Sequence, residues 1–176
     1  MKETKNPSDL LAVDESYMKL AIQQAQNAVL HQDVPVGAVL VNHANGDILA
    51  LTHNTKERDK NVTGHAEINA ISEASLKLGD WRLSDCTLYV TLEPCPMCAG
   101  AIMAARIPRV VCAAKDPVAG AMGSIWSLHS HPTRREVPSV EYGCCEKEAE
   151  EMLKDFFAQK RHYGRIAEPK TGKVME

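Results

Sequence analysis

Two short runs carry the residue types that bind metals and move protons: His65-Ala66-Glu67 and Pro94-Cys95-Pro96-Met97-Cys98. Cysteines three apart at a helix start can present two thiolates to one metal. The unpaired N–H groups and dipole of that helix favour the ionised thiols. Pro96 suits a first helical turn, where its missing N–H costs nothing. A closed structural zinc site needs a fourth protein ligand, usually from a second close pair. No second C-x-x-C and no H-x₃₋₅-H pair follows in the chain. His65, Cys95 and Cys98 therefore leave a fourth position for water, the pattern of a catalytic zinc.

Charge sharpens the reading. A zinc dication with two thiolates and a neutral imidazole is net neutral, a weaker Lewis acid than a three-histidine site, so a carboxylate must help ionise the water. Glu67 stands two residues from His65, and on a regular helix two such side chains diverge and cannot both be ligands. At the helix mouth a long Glu reaches across, which makes Glu67 a proton shuttle. Taken singly, H-x-E also suits a surface pair and C-x-x-C a redox or structural pair. Together, 30 positions apart and each opening a helix, they point to one catalytic zinc, against a structural or degenerate metal site.

The elements that must position these residues follow from periodicity. Met18, Ala21, Ile22, Ala25 and Val29 repeat at helical spacing, with Asp14 as the N-cap and residues 1–13 as a mobile lead-in. Runs at 36–41 and 48–51 flank Asn45-Gly46, a hairpin turn signal. A helix is expected over 65–78, stopped by Gly79. Strands are expected over 87–91 and 109–114, with a helix of small apolar residues over 95–105 between them. A last helix over 146–161 carries Met152, Leu153, Phe156 and Phe157 as one apolar stripe, read as core, and residues 162–176 form a polar tail. Strands alternating with helices predict an α/β domain with a mixed sheet covered on both faces, spanning residues 14–161.

Composition sets bounds on the rest. The chain has 176 residues, 44% apolar and 24% charged, which fits one domain with an ordinary core. No apolar run approaches the roughly 18–20 residues of a membrane span, and the first 20 residues lack the apolar stretch of a secretory signal. A soluble, cytoplasmic protein without disulfides is expected. Cys86 and Cys112 read as small buried hydrophobes, and the adjacent Cys144 and Cys145 are poorly placed to clamp one metal. The net charge of −3 argues weakly against nucleic acid, but it is unevenly spread. Residues 106–176 hold 12 Lys and Arg against 10 Asp and Glu, while residues 1–105 hold 8 against 13.

The zinc motifs, His65-Ala66-Glu67 and the run from Thr91 through Pro94 to Cys98, resemble the cytidine deaminase superfamily. Further runs are similar to one branch of it, the bacterial tRNA adenosine deaminases. These are Val34 to Ala38, His53-Asn54, Ala105-Arg106-Ile107, Asp116-Pro117, Ala119-Gly120-Ala121, Gly123-Ser124 and Phe156-Phe157. The resemblance implies a three-layer α/β/α sandwich, one Zn²⁺ per chain, and hydrolytic deamination of adenosine to inosine at wobble position 34 of tRNA. It assigns His65, Cys95 and Cys98 to the metal and Glu67 to proton transfer. It places Asn54, Ala66, Asp116 and His131 against the nucleotide, and it implies a homodimer. Phosphates of the anticodon loop would be held by cations such as Arg161. Asn54 also suits an Asx turn, Asp116 and His131 suit surface turns, and the helix over 99–105 suits close packing on its own sheet as well as a subunit contact. Ser130, between His129 and His131, departs from the family, where two adjacent histidines are often found.

The same zinc and glutamate would serve a deaminase of a free base or nucleoside, such as guanine, cytosine or cytidine. The segment over 105–131 and the late basic helix separate the two, and both resemble the tRNA enzymes. A non-catalytic zinc-stabilised module is the reading from another class. Glu67 argues against it, having no duty at a closed zinc site.

Overall fold

The structure, a computed structural model, describes residues 7–130 and 137–167. Five strands form one mixed sheet in the order β2-β1-β3-β4-β5. They are β1 (Gly37–Asn42), β2 (Asp47–His53), β3 (Cys86–Leu92), β4 (Arg109–Ala114) and β5 (Ser139–Tyr142). β1 pairs antiparallel with β2 and β3, whereas β3–β4 and β4–β5 are parallel. The helices are α1 (Pro7–Val29), a short α2 (Lys56–Asp59), α3 (Ala66–Leu78), α4 (Pro96–Ala104) and α5 (Glu146–Ala167), with a 3₁₀ turn at Leu128–Ser130.

Side-chain alternation along the strands builds two cores. Ala38, Leu40, Leu88, Val90, Val110 and Cys112 point to the face that α3 and α4 cover. Val39, Val41, Tyr89, Val111 and Ala113 point to the opposite face, under α1 and α5. Central strands buried on both sides read as unbroken apolar runs, as β1, β3 and β4 do. The expected three-layer sandwich with a mixed sheet is present. The hairpin turns where Asn45-Gly46 places it, with Gly46 at φ +80° and its N–H on the Asn42 carbonyl at 2.8 Å. Gly37 is required where α1 crosses β1, since a Cβ there would lie 1.9 Å from the Ala21 carbonyl oxygen.

Several local expectations need correction. The helix containing Met18 begins at Pro7, with proline in the first turn, so residues 7–13 are helical rather than a lead-in. Asp14 is therefore no N-cap. Its buried carboxylate receives Arg109 Nη1 and Nη2 at 2.9 and 2.7 Å and the Tyr89 hydroxyl at 2.7 Å. Arg109 also donates to Glu141 on β5, so one guanidinium ties α1 to three strands. β5 went unread because its residues alternate between exposed and half-buried at a sheet edge. α5 runs six residues beyond 161. In its stripe Phe156 is buried but Phe157 is exposed, packed edge-on against Phe156. No described helix is long and apolar enough to cross a membrane.

Burial alone would raise the Asp14 carboxyl, but the hydrogen bonds from Arg109 and Tyr89 outweigh it and hold it below its ordinary value of 3.8. A depressed carboxylate contributes stability that is present above the unfolded value and lost as pH falls through the folded one. Arg109→Met should thus cost about 2–4 kcal/mol at pH 7 by leaving Asp14 buried without its cation. Urea melts should show the gap to wild type narrowing as pH drops below about 4, where Asp14 protonates. A gap unchanged at pH 3 would remove Asp14 from this role.

Candidate active site

His65 and Cys95 occupy equivalent places in the fold: each is the N-cap of its helix, in extended conformation, before α3 and α4 respectively. Neither side chain caps its own helix. Both turn toward each other, and His65 Nδ1 lies 3.7 Å from Cys95 Sγ and 3.5 Å from Cys98 Sγ. All three donor atoms fall within 4.8 Å of one another. Tetrahedral zinc with bonds of about 2.3 Å to sulfur and 2.0–2.1 Å to nitrogen requires an N···S separation of about 3.6 Å. The spacing and the soft donor set therefore fit zinc.

The thiols are poised for a cation. Hydrogen bonding from Cys98, helped by His65, draws Cys95 down to about 4, so it is a thiolate at neutral pH. Cys98 retains its proton beside that anion, with burial pushing it the same way. A dication among the three donors displaces this last proton. The hydrogen bond to Cys95 raises His65.

Glu67, on the first turn of α3, is buried at 4% exposure. Burial pushes its carboxyl above the ordinary 4.5, while a dication alongside pulls it down. Asn54, His65, Ala66, Glu67, Cys95 and Asp116 all line one cavity of about 180 Å³, and Cys98 is fully buried in the first turn of α4. The α3 entry is anchored by the Thr52 hydroxyl, which donates to the Ala66 carbonyl at 2.7 Å. Asn54 makes the Asx contact too: its Oδ1 accepts from Lys56 N at 3.4 Å and its Nδ2 donates to the Val34 carbonyl at 3.2 Å. One amide hydrogen and spare lone pairs remain for a ligand. Asp116 accepts from the Val118 and Ala119 amides and still borders the cavity.

Arg161 is exposed on α5 and is not among the cavity-lining residues, and His131 lies outside the described residues. Sequence reasoning missed Glu93 and Lys56, which both line the cavity. Glu93 is buried at 2% exposure, and its carboxylate accepts from the amides of Asp116, Met122 and Ser124 and from the Ser124 hydroxyl. These bonds hold it below the usual carboxylate range against the opposing effect of burial. The available signal was an acid directly after a strand buried over six of its seven residues, a position that demands partners. Lys56 opens α2, whose Glu57 and Arg58 amides donate to the buried Asp33 carboxylate at 2.6 and 3.0 Å, a cap 24 residues away that no local pattern announces.

Residues 11–114 match the family model described as the cytidine and deoxycytidylate deaminase zinc-binding region. The chain is 45% identical to the tRNA-specific adenosine deaminase of Bacillus subtilis, over 84% of this chain and 91% of that one. It is 44% identical to the Agrobacterium fabrum protein of the same name, over 82% and 94%. A solved structure from a study of A-to-I editing by tRNA:A34 deaminases superimposes with a TM-score of 0.74 at 43% identity, covering 78% of this chain and 99% of that one.

Cys98→Ser should lower zinc content and thermal stability together, because metal binding adds to the folding free energy. The loss of zinc affinity should exceed the ~10–100-fold typical of outer partners of a metal. Metal analysis beside a thermal melt checks both, and wild-type zinc affinity would point to a different ligand set.

Proposed function

The chain belongs to the cytidine and deoxycytidylate deaminase family, and on that premise we propose that it hydrolyses adenosine to inosine at wobble position 34 of tRNA, with a deaminase domain that takes in all of α1 and α5 beyond the expected bounds of 14–161. The observation that carries this reading is the joint placement of a soft N, S, S donor set and a buried carboxyl at one small cavity. The tRNA substrate follows from relatives of that name that match over most of their own length.

In this reading His65, Cys95 and Cys98 hold zinc, which when bound supplies the Lewis acidity that lets water ionise near neutral pH. Glu67 does the proton work. Its carboxylate takes a proton as water attacks C6 of the adenine, delivers it to ring nitrogen N1, and serves again as the 6-amino group leaves as ammonia. Atoms balance as adenosine plus water to inosine plus ammonia. The Asn54 carboxamide, already held by Val34 and Lys56, orients the nucleoside. Ala66 keeps the cavity wall small where a larger side chain would intrude on the base. Asp116 contacts the nucleotide from the loop after β4, and His131 and Arg161 act farther out on the anticodon loop. Such a substrate places the protein in the cytoplasm.

A homodimer belongs to the same proposal. α4 carries no charged residue, and its buried Cys98, Ala99 and Ile102 leave Pro96, Gly100 and Ala104 exposed. A helix apolar all round needs cover on every side, and a second copy supplies it.

Purified protein should release ammonia and form inosine with an A34-containing tRNA, and remain silent with adenosine, cytidine, cytosine and guanine. Turnover of a free base with inert tRNA would keep the zinc chemistry and discard the substrate. Glu67→Gln should retain one zinc per chain while turnover falls about 10²–10⁴-fold. Loss of zinc in that variant would make Glu67 a ligand instead.

A further inference from the structure

The two tryptophans of the chain are both about half exposed, but in different settings. Trp81 lies under two guanidinium groups, Arg82 at 4.3 Å and Arg106 at 5.4 Å from the ring centre. Trp126, at 46% exposure, has no ring, cation or indole hydrogen-bond partner among the described residues. Ile125, Leu128 and Val118, on the same loop, are exposed as well. An indole left bare beside other apolar side chains marks a contact surface.

The backbone beneath Trp126 is hydrogen-bonded into the loop that borders the cavity. Its amide donates to the Gly120 carbonyl at 3.1 Å and its carbonyl accepts from Gly123 at 2.8 Å. Gly120 sits so close to the Glu93 carboxylate that a Cβ there would lie 2.5 Å from it. Ala121 donates to the Pro94 carbonyl, next to Cys95. These linked contacts put the Trp126 amide within about 10 Å of the cavity-lining Glu93 carboxylate. The cavity is small, so the nucleotides on either side of a base inserted into it must lie outside.

We infer that Trp126 is a stacking platform for an unpaired base adjoining the target adenosine, and so a determinant of RNA over free nucleoside. Unstacked loop bases are held this way by aromatic side chains, with little sequence preference because every base offers a π-face. The inference rests on the tRNA reading above and adds a residue to it. The bonds that run from Trp126 through Gly120 to the cavity-lining Asp116, with Glu93 against the same glycine, favour a nucleobase over a protein partner as the occupant.

Two measurements test it on the full-length zinc-loaded protein. Trp81→Phe leaves Trp126 as the sole tryptophan, and its fluorescence should be quenched, saturably, by an anticodon stem-loop RNA with adenosine at the wobble position. Trp126→Ala should raise KM for that RNA about 5–150-fold with kcat within about twofold, and Trp126→Phe should recover most of the loss. Unquenched fluorescence and unchanged KM, with wild type still deaminating the RNA, overturn the inference and leave the tRNA reading standing. Failure of wild type to deaminate any tRNA overturns that reading itself. Conversion of Trp126→Ala to a monomer, seen by light scattering, would assign the indole to a protein interface and also overturn the inference.

Discussion

One imidazole nitrogen and two sulfurs from two helices must lie within 4.8 Å of one another, and much of the architecture serves that constraint. The N-termini of α3 and α4 have to converge on one face of the sheet. Small residues make this possible: Ala66, Ala70 and Ala74 repeat every fourth position along α3 and are fully buried, and α4 packs through Cys98, Ala99 and Ile102. Alanines bury little apolar area apiece, so this layer gains less hydrophobic stabilisation than larger side chains would supply. Compensation comes from the strands, whose Val39, Leu40, Leu88, Val90, Val110 and Val111 are buried on both faces, and from the Asp14–Arg109–Glu141 tie on the far side.

Glu93 extends the same constraint into the loop after β4. A buried carboxylate without partners would be costly, and here four donors from one loop satisfy it. The loop is consequently held in place by the residue two positions before Cys95. Gly120 is the accommodation this requires, since any side chain there would strike Glu93 or the Asp116 carbonyl. The His65–Cys95–Cys98 cluster and the cavity-bordering loop thus form one unit, although 23 residues separate Glu93 from Asp116.

What could be read from the sequence was local and periodic. β4 falls on its expected limits, and α3 and α4 begin within one residue of theirs, because cap, turn and apolar signals lie inside the elements themselves. The cluster of His65, Cys95 and Cys98 was legible for a related reason: C-x-x-C and H-x-E are short patterns whose chemistry depends on nearest neighbours. What was missed depends on distant partners. Asp14 looks like a cap until Arg109, 95 residues on, is seen to bind it. α2 exists because Asp33 satisfies its first amides, and β5 because β4 offers it an edge. Phe157 looks like core until α5 is placed and its ring is found on the solvent side.

The dimensions of the cavity explain why the zinc motif by itself is silent about substrate. At about 180 Å³ it falls below the roughly 300–1,000 Å³ common for small-molecule sites. A base that enters must leave its stack, whether it arrives free or on a polymer. Ligands and proton carrier can be the same in both cases, so discrimination has to come from surfaces beyond the cavity mouth. Those surfaces belong to loops fixed by long-range bonds, above all the one stapled by Glu93 that displays Trp126. A residue pattern can therefore disclose the reaction in a few adjacent letters, while the identity of the substrate is written across segments that only the fold brings together.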